Sequence, residues 1–508
     1  MISSEAIRRG FNRGHHNVGQ ATPPYWNDRV PVRPGGAPRW SDQLLVMPDA
    51  QQLAELRAEG MEVRVDPDEV TAGTRDWWPG TMIAETDGRA AAPLAPIVCA
   101  RNVADVQTAV RWARRHRIPL TTIAGRSSVT GAVLPVRGGI LLDVTAMNAI
   151  EHFDRDRGTV RVQAGMFGDL FEQELQRVHG ATTGHWPSSY AISTVGGWVA
   201  CRGAGQLSTR YGKVEDMVVS LDVVLPSGEL VTLGESSHAA VGPDLRQLIV
   251  GSEGMLGVIT SVTLQTHPLP AYGGSVAYSF RDFATGLAAC RELLQLGATP
   301  AVVRLYDATE SQRHFDVDAA VLLIADEGTP MLVDATLQLA RDVCTTSGQP
   351  LDADTVFERW LDTRYHIPPL HAHPSRERVV YDTLEMVGGW AVTAAVYEDV
   401  LTAVGAIPGT VSVSGHQSHS YPDGACIYFT MQGDVDPGDR DHWYRAAWDA
   451  AHAAIIRHGA TVSHHHGVGL VRAPYVRESL GDGAFELLRT VKDALDPDDI
   501  FNPGKFGL

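Results

Sequence analysis

The chain has 508 residues, of which 44% are hydrophobic and 20% charged, a balance typical of globular proteins. That length exceeds one ordinary core, so we expect two or three domains. Lys and Arg total 42 against 60 Asp and Glu, a net charge of −18. This charge argues against nucleic acid and anionic membranes as general partners, because both need a basic surface. We expect a small-molecule substrate instead, and a homodimer stays open.

Cysteines and apolar segments indicate the compartment. The five cysteines show no paired spacing, which predicts neither a disulfide framework nor structural zinc and fits a reducing cytoplasm. Residues 1–20 lack the apolar core of a secretory signal. The most apolar long stretch, Gly388 to Gly409, contains Glu398 and Asp399. The sequence therefore predicts no integral membrane segment and a cytoplasmic protein.

Residues 1–92 are interpreted as an N-terminal arm. Prolines cluster between Pro23 and Pro38, and the segment also contains Trp26, Trp40, Trp77 and Trp78. A helical pattern occurs only from Asp49 to Gly60, so the rest is expected to be irregular chain that packs on a larger body.

Residues 93–270 have regular α/β periodicity and form the second predicted domain. Strands and helices alternate again over 271–460, the third domain, with a polar insertion at Asp307 to Asp318, and 461–508 form a C-terminal segment. The predicted elements of the second domain are strands at 97–99, 118–123, 140–144, 159–164 and 257–266, a helix that begins after the N-cap Asn102, a helix through 171–178, and a hairpin of 216–225 with 229–233.

The loop Ala124 to Ser128 directly follows a predicted strand. Successive backbone N–H groups in such a loop can bind an anion, and the serine hydroxyls add donors. By itself the loop is more often an ordinary turn. It is neither a dinucleotide-binding G-x-G-x-x-G sequence nor a phosphate-binding Walker sequence.

Two further glycine-rich segments follow in order: Thr183 to Trp198, and Gly251 to Ile259. Together with the first loop, they give residues 93–270 a resemblance to the FAD-binding domain of the vanillyl-alcohol oxidase and p-cresol methylhydroxylase superfamily. The resemblance implies an α+β fold, with a two-subdomain FAD-binding domain, an α/β cap domain over 271–460, and a C-terminal segment that returns to the flavin. It also implies these FAD contacts: Ile123, Ala124, Gly125, Arg126, Ser127, Ser128, His185, Ser188, Ser189, Thr194, Gly196, Gly197, Arg202, Glu253, Gly254, Gly257, Val258 and Ile259.

Within that superfamily, the chain resembles the alkyldihydroxyacetonephosphate synthases. The matching segments are Thr183-Gly184-His185, Ser193 to Trp198, Arg304-Leu305, Gly424 to Phe429, Ser463 to Gly469, and Asp496 to Asn502. The resemblance implies a redox-neutral exchange of an acyl chain for a fatty alcohol, in which the flavin N5 holds the dihydroxyacetone phosphate unit. Tyr428 would be the catalytic base of that exchange.

Three successive histidines, His464 to His466, raise the alternative of a metal site. In a regular strand, His464 and His466 would face one side and His465 the other, so all three could not ligate one metal. We therefore predict no metal and a role in substrate binding and proton transfer. The resemblance implies the same role, with His465 and His466 nearest the flavin and His464 at the substrate.

Tyr428 and Arg304 both lie in apolar strands, where an ordinary core tyrosine and an internal salt bridge are the plain alternatives. A phenol with a reference pKa of about 10 is a poor base near neutral pH. Imidazoles or an arginine would have to stabilise its phenolate. For Arg304, a flavin or an anionic ligand would compensate the charge as well as a salt bridge would.

The sequence also departs from the synthase pattern. Arg126 replaces a glycine and is expected to place its guanidinium beside the cofactor phosphates. The synthases usually have acidic residues at the positions where this chain has Trp186 and Ser188, so that acidic pair is missing here. His371 stands where the family has a phosphate-binding arginine, and Arg376 or Arg378 is a candidate to compensate. The loop lacks the histidine that tethers FAD in many relatives, so we predict non-covalent FAD.

Two other functions remain open. An FAD-dependent oxidase or dehydrogenase of an alcohol, hydroxy acid or amine would share the fold and could use Tyr428 as base. A flavin-binding protein without catalysis is disfavoured, because Tyr428 and His465 are both present.

Overall fold

The computed structural model describes residues 45–88, 92–234, 239–365 and 378–508. His371 and Arg376, which the sequence associates with substrate phosphate, lie outside the described residues. The order of elements confirms the α+β fold: two small sheets come first, and one large antiparallel sheet follows. No helix in the described ranges is both long and apolar enough to cross a membrane.

The N-terminal segment is more regular than the sequence analysis expected. The predicted helix is confirmed, but a strand and two further helices follow it. Both extra helices begin with proline in their first turn, where its missing N–H costs nothing, and Asp66 caps one of them. The proline cluster from Pro23 to Pro38 lies outside the described residues. The elements are α1 (Ala50–Ala58), β1 (Glu62–Arg64), α2 (Pro67–Gly73) and α3 (Pro79–Thr86).

The first subdomain is a four-stranded sheet in the order β1-β2-β4-β3. Strands β2, β3 and β4 are parallel, and β1 adds to the edge in the antiparallel direction. Asn102 caps the connecting helix by accepting from the N–H of Asp105 at 3.0 Å, as predicted. The elements are β2 (Ile97–Cys99), α4 (Val103–His116), β3 (Leu120–Ile123) and β4 (Ile140–Asp143).

The second subdomain is a five-stranded antiparallel sheet in the order β5-β6-β10-β8-β9, beside the short pair β7 and β11. Strands β8 and β9 form the predicted hairpin. The elements are β5 (Ile150–Asp154), β6 (Thr159–Gln163), α5 (Gly168–Glu174), β7 (Ala181–Thr182), α6 (Val195–Cys201), α7 (Ser208–Tyr211), α8 (Val214–Met217), β8 (Val218–Val224), β9 (Leu230–Leu233), α9 (Arg246–Ile249), β10 (Val258–Gln265) and β11 (His267–Pro268).

The large sheet has seven strands in the order β15-β12-β14-β13-β17-β18-β16. The expected polar insertion contains a helix, α11, capped by Asp307. The elements are β12 (Tyr272–Phe280), α10 (Phe283–Gln295), β13 (Val302–Tyr306), α11 (Ala308–Phe315), β14 (Ala320–Gly328), α12 (Pro330–Cys344), β15 (Gln349–Pro350), α13 (Ala353–Thr363), β16 (Val379–Gly389), α14 (Trp390–Gly405), β17 (Thr410–Ser420), β18 (Gly424–Asp434) and α15 (Arg440–Arg457).

Alternation along these strands separates an apolar face from a polar face. Ile427 and Phe429 belong to the core formed with the helices that cover one side of the sheet, whereas Tyr428 between them points to the other side. The polar face of β13, β17, β18 and β16 is therefore available for a site.

The C-terminal segment returns to the first subdomain. The N–H of Leu120 donates to the carbonyl of Ile500, and the N–H of Asn502 donates to the carbonyl of Leu120, each at 2.8 Å. This pairing extends the four-stranded sheet beyond β3. The last elements are α16 (Ala473–Leu480) and α17 (Asp482–Leu495).

Candidate active site

The loop after β3 has the backbone that an anion-binding loop requires. A Cβ on Gly125 would lie 2.5 Å from the carbonyl oxygen of Ile192, so this glycine lets the loop touch the second glycine-rich segment. Within the described chain, the backbone N–H groups of Gly125, Ser127 and Ser128 donate to no protein acceptor. Unused donors in a half-exposed loop fit a phosphate group.

Arg126 has a hydrogen-bond partner in the N-terminal segment. Its backbone is left-handed, with φ of 52°, and its Nη1 donates to the carbonyl of Ala72 at 2.9 Å. Burial lowers the pKa of this guanidinium to about 10. The side chain thus reaches the N-terminal segment, and its place beside the cofactor phosphates stays a prediction.

The second glycine-rich segment contains a buried histidine with unused nitrogens. His185 is 1% exposed, packs on Trp198 with ring centroids 4.6 Å apart, and forms no hydrogen bond through either nitrogen within the described chain. Burial lowers its pKa to about 3, so the ring is neutral. A buried donor and acceptor without partners is costly, which supports a ligand contact at this position.

The other residues predicted in this segment surround the start of α6. Thr194 caps the helix by accepting from the N–H of Gly197 at 3.3 Å. Ser188 accepts from the side chain of Gln206 at 2.9 Å, and Ser189 lies beside the first loop through Ser193. The structure thus brings this segment to the first loop. A Cβ on Gly196 would lie 2.6 Å from that of Ala164, so its small size serves packing.

The third glycine-rich segment contacts the C-terminal segment. The carboxylate of Glu253, predicted to touch FAD, instead accepts from the N–H groups of Val468 at 2.5 Å and Gly469 at 2.9 Å. Burial raises its pKa to about 7. Gly254 faces open space, and Gly257 has a φ of 151° that favours glycine. Glu253 thus holds the turn that follows the three histidines.

Three predicted FAD contacts offer little through their side chains. Val258 and Ile259 are buried core residues at the start of β10, so only their backbone is available. Arg202 ends α6 and pairs with Glu215 at 3.4 Å. The residues that fit FAD best are therefore the loop after β3, His185, the exposed Gly197 and the half-buried Gly254.

On the large sheet, cross-strand register places four side chains in one row. Tyr306 pairs with His416, His416 with Tyr428, and Tyr428 with Glu385. The His416 ring stacks on that of Tyr428 at 5.0 Å, and the His465 ring stacks at 6.2 Å. Tyr428 is thus a member of a polar stack and not an ordinary core tyrosine.

The Tyr428 hydroxyl donates to Oγ1 of Thr383 at 2.7 Å. Burial raises its pKa above the usual value of a phenol. Arg304 does not reach this hydroxyl; it donates to the Tyr306 hydroxyl at 3.0 Å and to Nε2 of His416 at 2.9 Å. The expected stabilisation of a phenolate by arginine is therefore not seen in the contacts of the described residues.

The three histidines do not form a strand, so the expected alternation of faces is wrong. The N–H groups of His464, His465 and His466 all converge on Oε1 of Glu385, at 3.1, 3.1 and 2.9 Å. The chain curls around this buried carboxylate, which also pairs with Arg472. Burial alone would raise the pKa of Glu385, but Arg472 and His466 bring it well below its usual range.

His464 is positioned by protein groups on every side. Its Nε2 lies 2.8 Å from the Tyr421 hydroxyl, its Nδ1 lies 2.9 Å from Nδ1 of His465, and its carbonyl accepts from Lys213 at 2.7 Å. Both ring nitrogens are engaged, so this residue is better suited to orienting His465 than to the predicted substrate contact. Burial lowers the pKa of His465 well below 6.5, which keeps its imidazole neutral.

A metal remains geometrically compatible with part of this cluster. Ligand nitrogens of His419, His464 and His465 lie within 4.8 Å of one another, so the strand-based argument against a shared metal fails. His419 is already hydrogen-bonded to Ser208 at 2.7 Å. The absence of a metal stays a prediction that rests on these occupied nitrogens.

Sequence reasoning missed the residues that organise the site: Thr383, Glu385, Glu310, His416, Lys213 and Arg472. For Thr383, Glu385 and His416, the available signal was the alternation of polar and apolar residues in β16 and β17. Arg378, the proposed substitute for a phosphate-binding arginine, pairs with Asp434 and Asp436 on the surface.

Comparison with known proteins agrees with this geometry. Residues 94–234 match the family described as FAD binding domain, and residues 269–506 match FAD linked oxidases, C-terminal domain. An FAD-linked oxidoreductase of Escherichia coli K12, YgcU, whose name marks it as uncharacterized, is 30% identical over 81% of this chain and 88% of its own.

The synthase resemblance is also found. Alkyldihydroxyacetonephosphate synthase of Dictyostelium discoideum is 27% identical over 80% of this chain and 72% of its own. A solved structure of an alkyldihydroxyacetonephosphate synthase superposes with a TM-score of 0.74 at 24% identity, covering 94% of this chain and 90% of that one. The resemblance inferred from the motifs is therefore confirmed.

Proposed function

We propose that this protein, which belongs to the FAD-linked oxidase family and is an FAD-dependent enzyme, forms an ether bond by an acyl-for-alkyl exchange of the alkyldihydroxyacetonephosphate synthase type. The observation that carries the proposal is the stack of Tyr428 between His416 and His465, beside the histidine turn that Glu385 holds. Bound FAD would supply the electron-accepting chemistry that side chains lack. We further propose that FAD is held without a covalent bond.

The residues of the loop after β3 and His185 would hold the cofactor. The unused N–H groups of Gly125, Ser127 and Ser128 suit its phosphates, and the neutral His185 ring can donate or accept one hydrogen bond. The hydrogen bond from Val468 to Glu253 would keep the histidine turn beside the third glycine-rich segment when the cofactor is bound.

Proton removal from the substrate falls to Tyr428 and His465 together. The raised pKa of Tyr428 keeps its phenol protonated near pH 7, whereas the lowered pKa of His465 leaves an unprotonated imidazole. His465 is therefore available to accept a proton near pH 7, and the Tyr428 hydroxyl, fixed by Thr383, orients the substrate or passes the proton on. This assignment moves the base from the tyrosine alone to the pair.

Oxidation of a hydroxy acid or alcohol is the second candidate. Among the described residues, the cations near Tyr428 are few: Arg472 pairs with Glu385, Lys213 pairs with Glu215, and Arg304 remains. A phosphate is usually bound by more than one cationic or bidentate contact. A substrate with one carboxylate would need only Arg304, and the same base would serve hydride transfer.

Anaerobic mixing of the yellow holoenzyme with candidate substrates tests the two functions. Acyl-dihydroxyacetone phosphate with a long-chain alcohol should give an alkyl ether with no lasting bleaching of the flavin. Lasting bleaching by D-lactate or another 2-hydroxy acid, without ether formation from the first pair, would replace the exchange by oxidation. Acid precipitation should release intact FAD; yellow precipitate would contradict non-covalent binding.

A further inference from the structure

Arg304 is a half-buried cation that lacks an acidic partner within the described chain. Its Nε donates to the Tyr306 hydroxyl, and its Nη2 donates to Nε2 of His416. No protein acceptor among the described residues uses the hydrogens of Nη1. A guanidinium without a counter-charge is costly away from water, so an anion from outside the chain is expected here.

The contact with Arg304 fixes the protonation of His416. A guanidinium only donates, so Nε2 of His416 must be the acceptor and its proton must lie on Nδ1. Nδ1 lies 2.7 Å from Oε2 of Glu310. The imidazole is thus held as one tautomer, and its ring stacks on Tyr428 with an interplanar angle of 25°.

The carboxylate of Glu310 is positioned to accept the hydrogen bond from Nδ1 of His416. It is 2% exposed on α11, and its other oxygen, Oε1, accepts the hydroxyls of Ser414 and Thr430, each at 3.1 Å. Burial alone would raise its pKa, but the hydrogen bonds that it accepts from His416 and Thr430 lower it. Glu310 therefore stays ionised, and the direction of both hydrogen bonds is determined.

We propose that Glu310 is a positioning residue that, through His416, orients Arg304 so that its remaining N–H groups bind the anionic group of the substrate, a carboxylate or a phosphate, beside Tyr428. The proposal rests on the proposed function only in placing the reaction at Tyr428. It gives the buried carboxylate of α11 a part in substrate recognition that the motifs of the chain do not indicate.

The test measures anion binding to the FAD-loaded enzyme by the flavin difference spectrum, with no turnover required. Oxalate is the carboxylate probe, and sn-glycerol 3-phosphate is the phosphate probe. One of them should saturate the wild type and identify the anion. Glu310→Gln should weaken that binding about tenfold, and Arg304→Gln at least as much, because the free energies at stake are those of charge-assisted hydrogen bonds. If neither probe perturbs the flavin, the proposal fails.

The double variant separates positioning from general stability. Because Glu310 acts through Arg304, the double variant should bind the probe within about twofold of Arg304→Gln alone. Independent tenfold losses that multiply would overturn the proposal. So would Glu310→Gln protein with normal probe binding and only a lower melting temperature.

Two further variants control the measurement. Asp326→Asn removes another fully buried carboxylate of the same sheet, paired with Arg210 at 2.9 Å, and should leave probe affinity unchanged. If Glu310→Gln does not fold, His416→Gln carries the test, since it breaks the same connection. Failure of both reaction types in turnover assays would leave these binding results standing, so the two failures are distinguishable.

Discussion

The glycine-rich loops and the polar face of the large sheet would recognise ligands by different means. The loop after β3 presents backbone N–H groups and a glycine that permits close approach. The sheet face presents side chains fixed by ionised, buried carboxylates, Glu310 and Glu385. A backbone site tolerates many side chains but few changes of shape, whereas a side-chain site tolerates neither the loss of a charge nor of a hydroxyl.

The largest effect is expected on the sheet face. Tyr428→Phe removes one hydroxyl from the stack and should lower turnover by about 10²–10⁴-fold, because positioned acid–base groups contribute that much. FAD content should be unchanged, since the loops are untouched. Turnover and flavin absorbance are measured on the same sample. Tyr475→Phe, whose hydroxyl bonds Asp449 at 2.5 Å, is the control. Near-normal turnover in Tyr428→Phe would leave Tyr428 a packing residue.

Glu385→Gln should show how far the sheet depends on buried charge. It leaves Arg472 without its carboxylate and should reduce the free energy of unfolding by about 3–5 kcal/mol. Denaturant unfolding measures this loss. The exposed Glu398→Gln should change stability by less than about 0.5 kcal/mol. Equal effects of the two variants would contradict the role of Glu385 as the centre of the histidine turn.

Glu385 also makes the free energy of unfolding depend on pH. Its pKa in the folded protein lies well below that in the unfolded chain, so its stabilisation is complete above the unfolded value and is lost as pH falls toward the folded one. Wild-type stability should therefore decline below about pH 4.5 more steeply than that of Glu385→Gln. Parallel pH profiles would show that the carboxylate is not preferentially ionised in the folded state.

Gly125→Ala tests the shape of the backbone site. The new methyl group would meet the Ile192 carbonyl at 2.5 Å, so the loop must shift. Overpacking of this kind costs about 1–3 kcal/mol, and we expect FAD affinity to fall accordingly, by about 5- to 150-fold. Gly483→Ala, in helix α17 with open space around it, is the matched control. Equilibrium titration of apoenzyme with FAD decides; unchanged affinity would mean that the cofactor does not use this loop.

The smallest effect is expected for Arg126→Ala. The side chain binds Ala72 and secures the loop from behind, so its loss should weaken FAD retention about tenfold while turnover at saturating FAD stays near normal. Arg111→Ala, which removes a comparable contact with the Gly228 carbonyl, serves as control. An effect much larger than tenfold would instead favour direct contact between Arg126 and the cofactor phosphates.

Sequence reasoning predicted the features that are local. The cap at Asn102, the hairpin around Ser227 and the strand that contains Tyr428 follow from patterns within a few residues. Sequence reasoning failed where residues distant in the chain determine the conformation. It assumed a strand for the three histidines, but their N–H groups donate to the carboxylate of Glu385, and the chain forms a turn. The side-chain direction of Arg126 likewise depends on Ala72, 54 positions away.

Pairing between Leu120 and Ile500 also has a consequence for biosynthesis. Strand β3 completes its hydrogen bonds with residues about 380 positions later. At a translation rate of about 5–20 residues per second, the emerging flavin domain waits roughly 20 to 80 s for its last partner. During that interval the edge of β3 is an unpaired template for other chains. We therefore expect chaperones to be needed at this edge, above all at low temperature, where synthesis is slow.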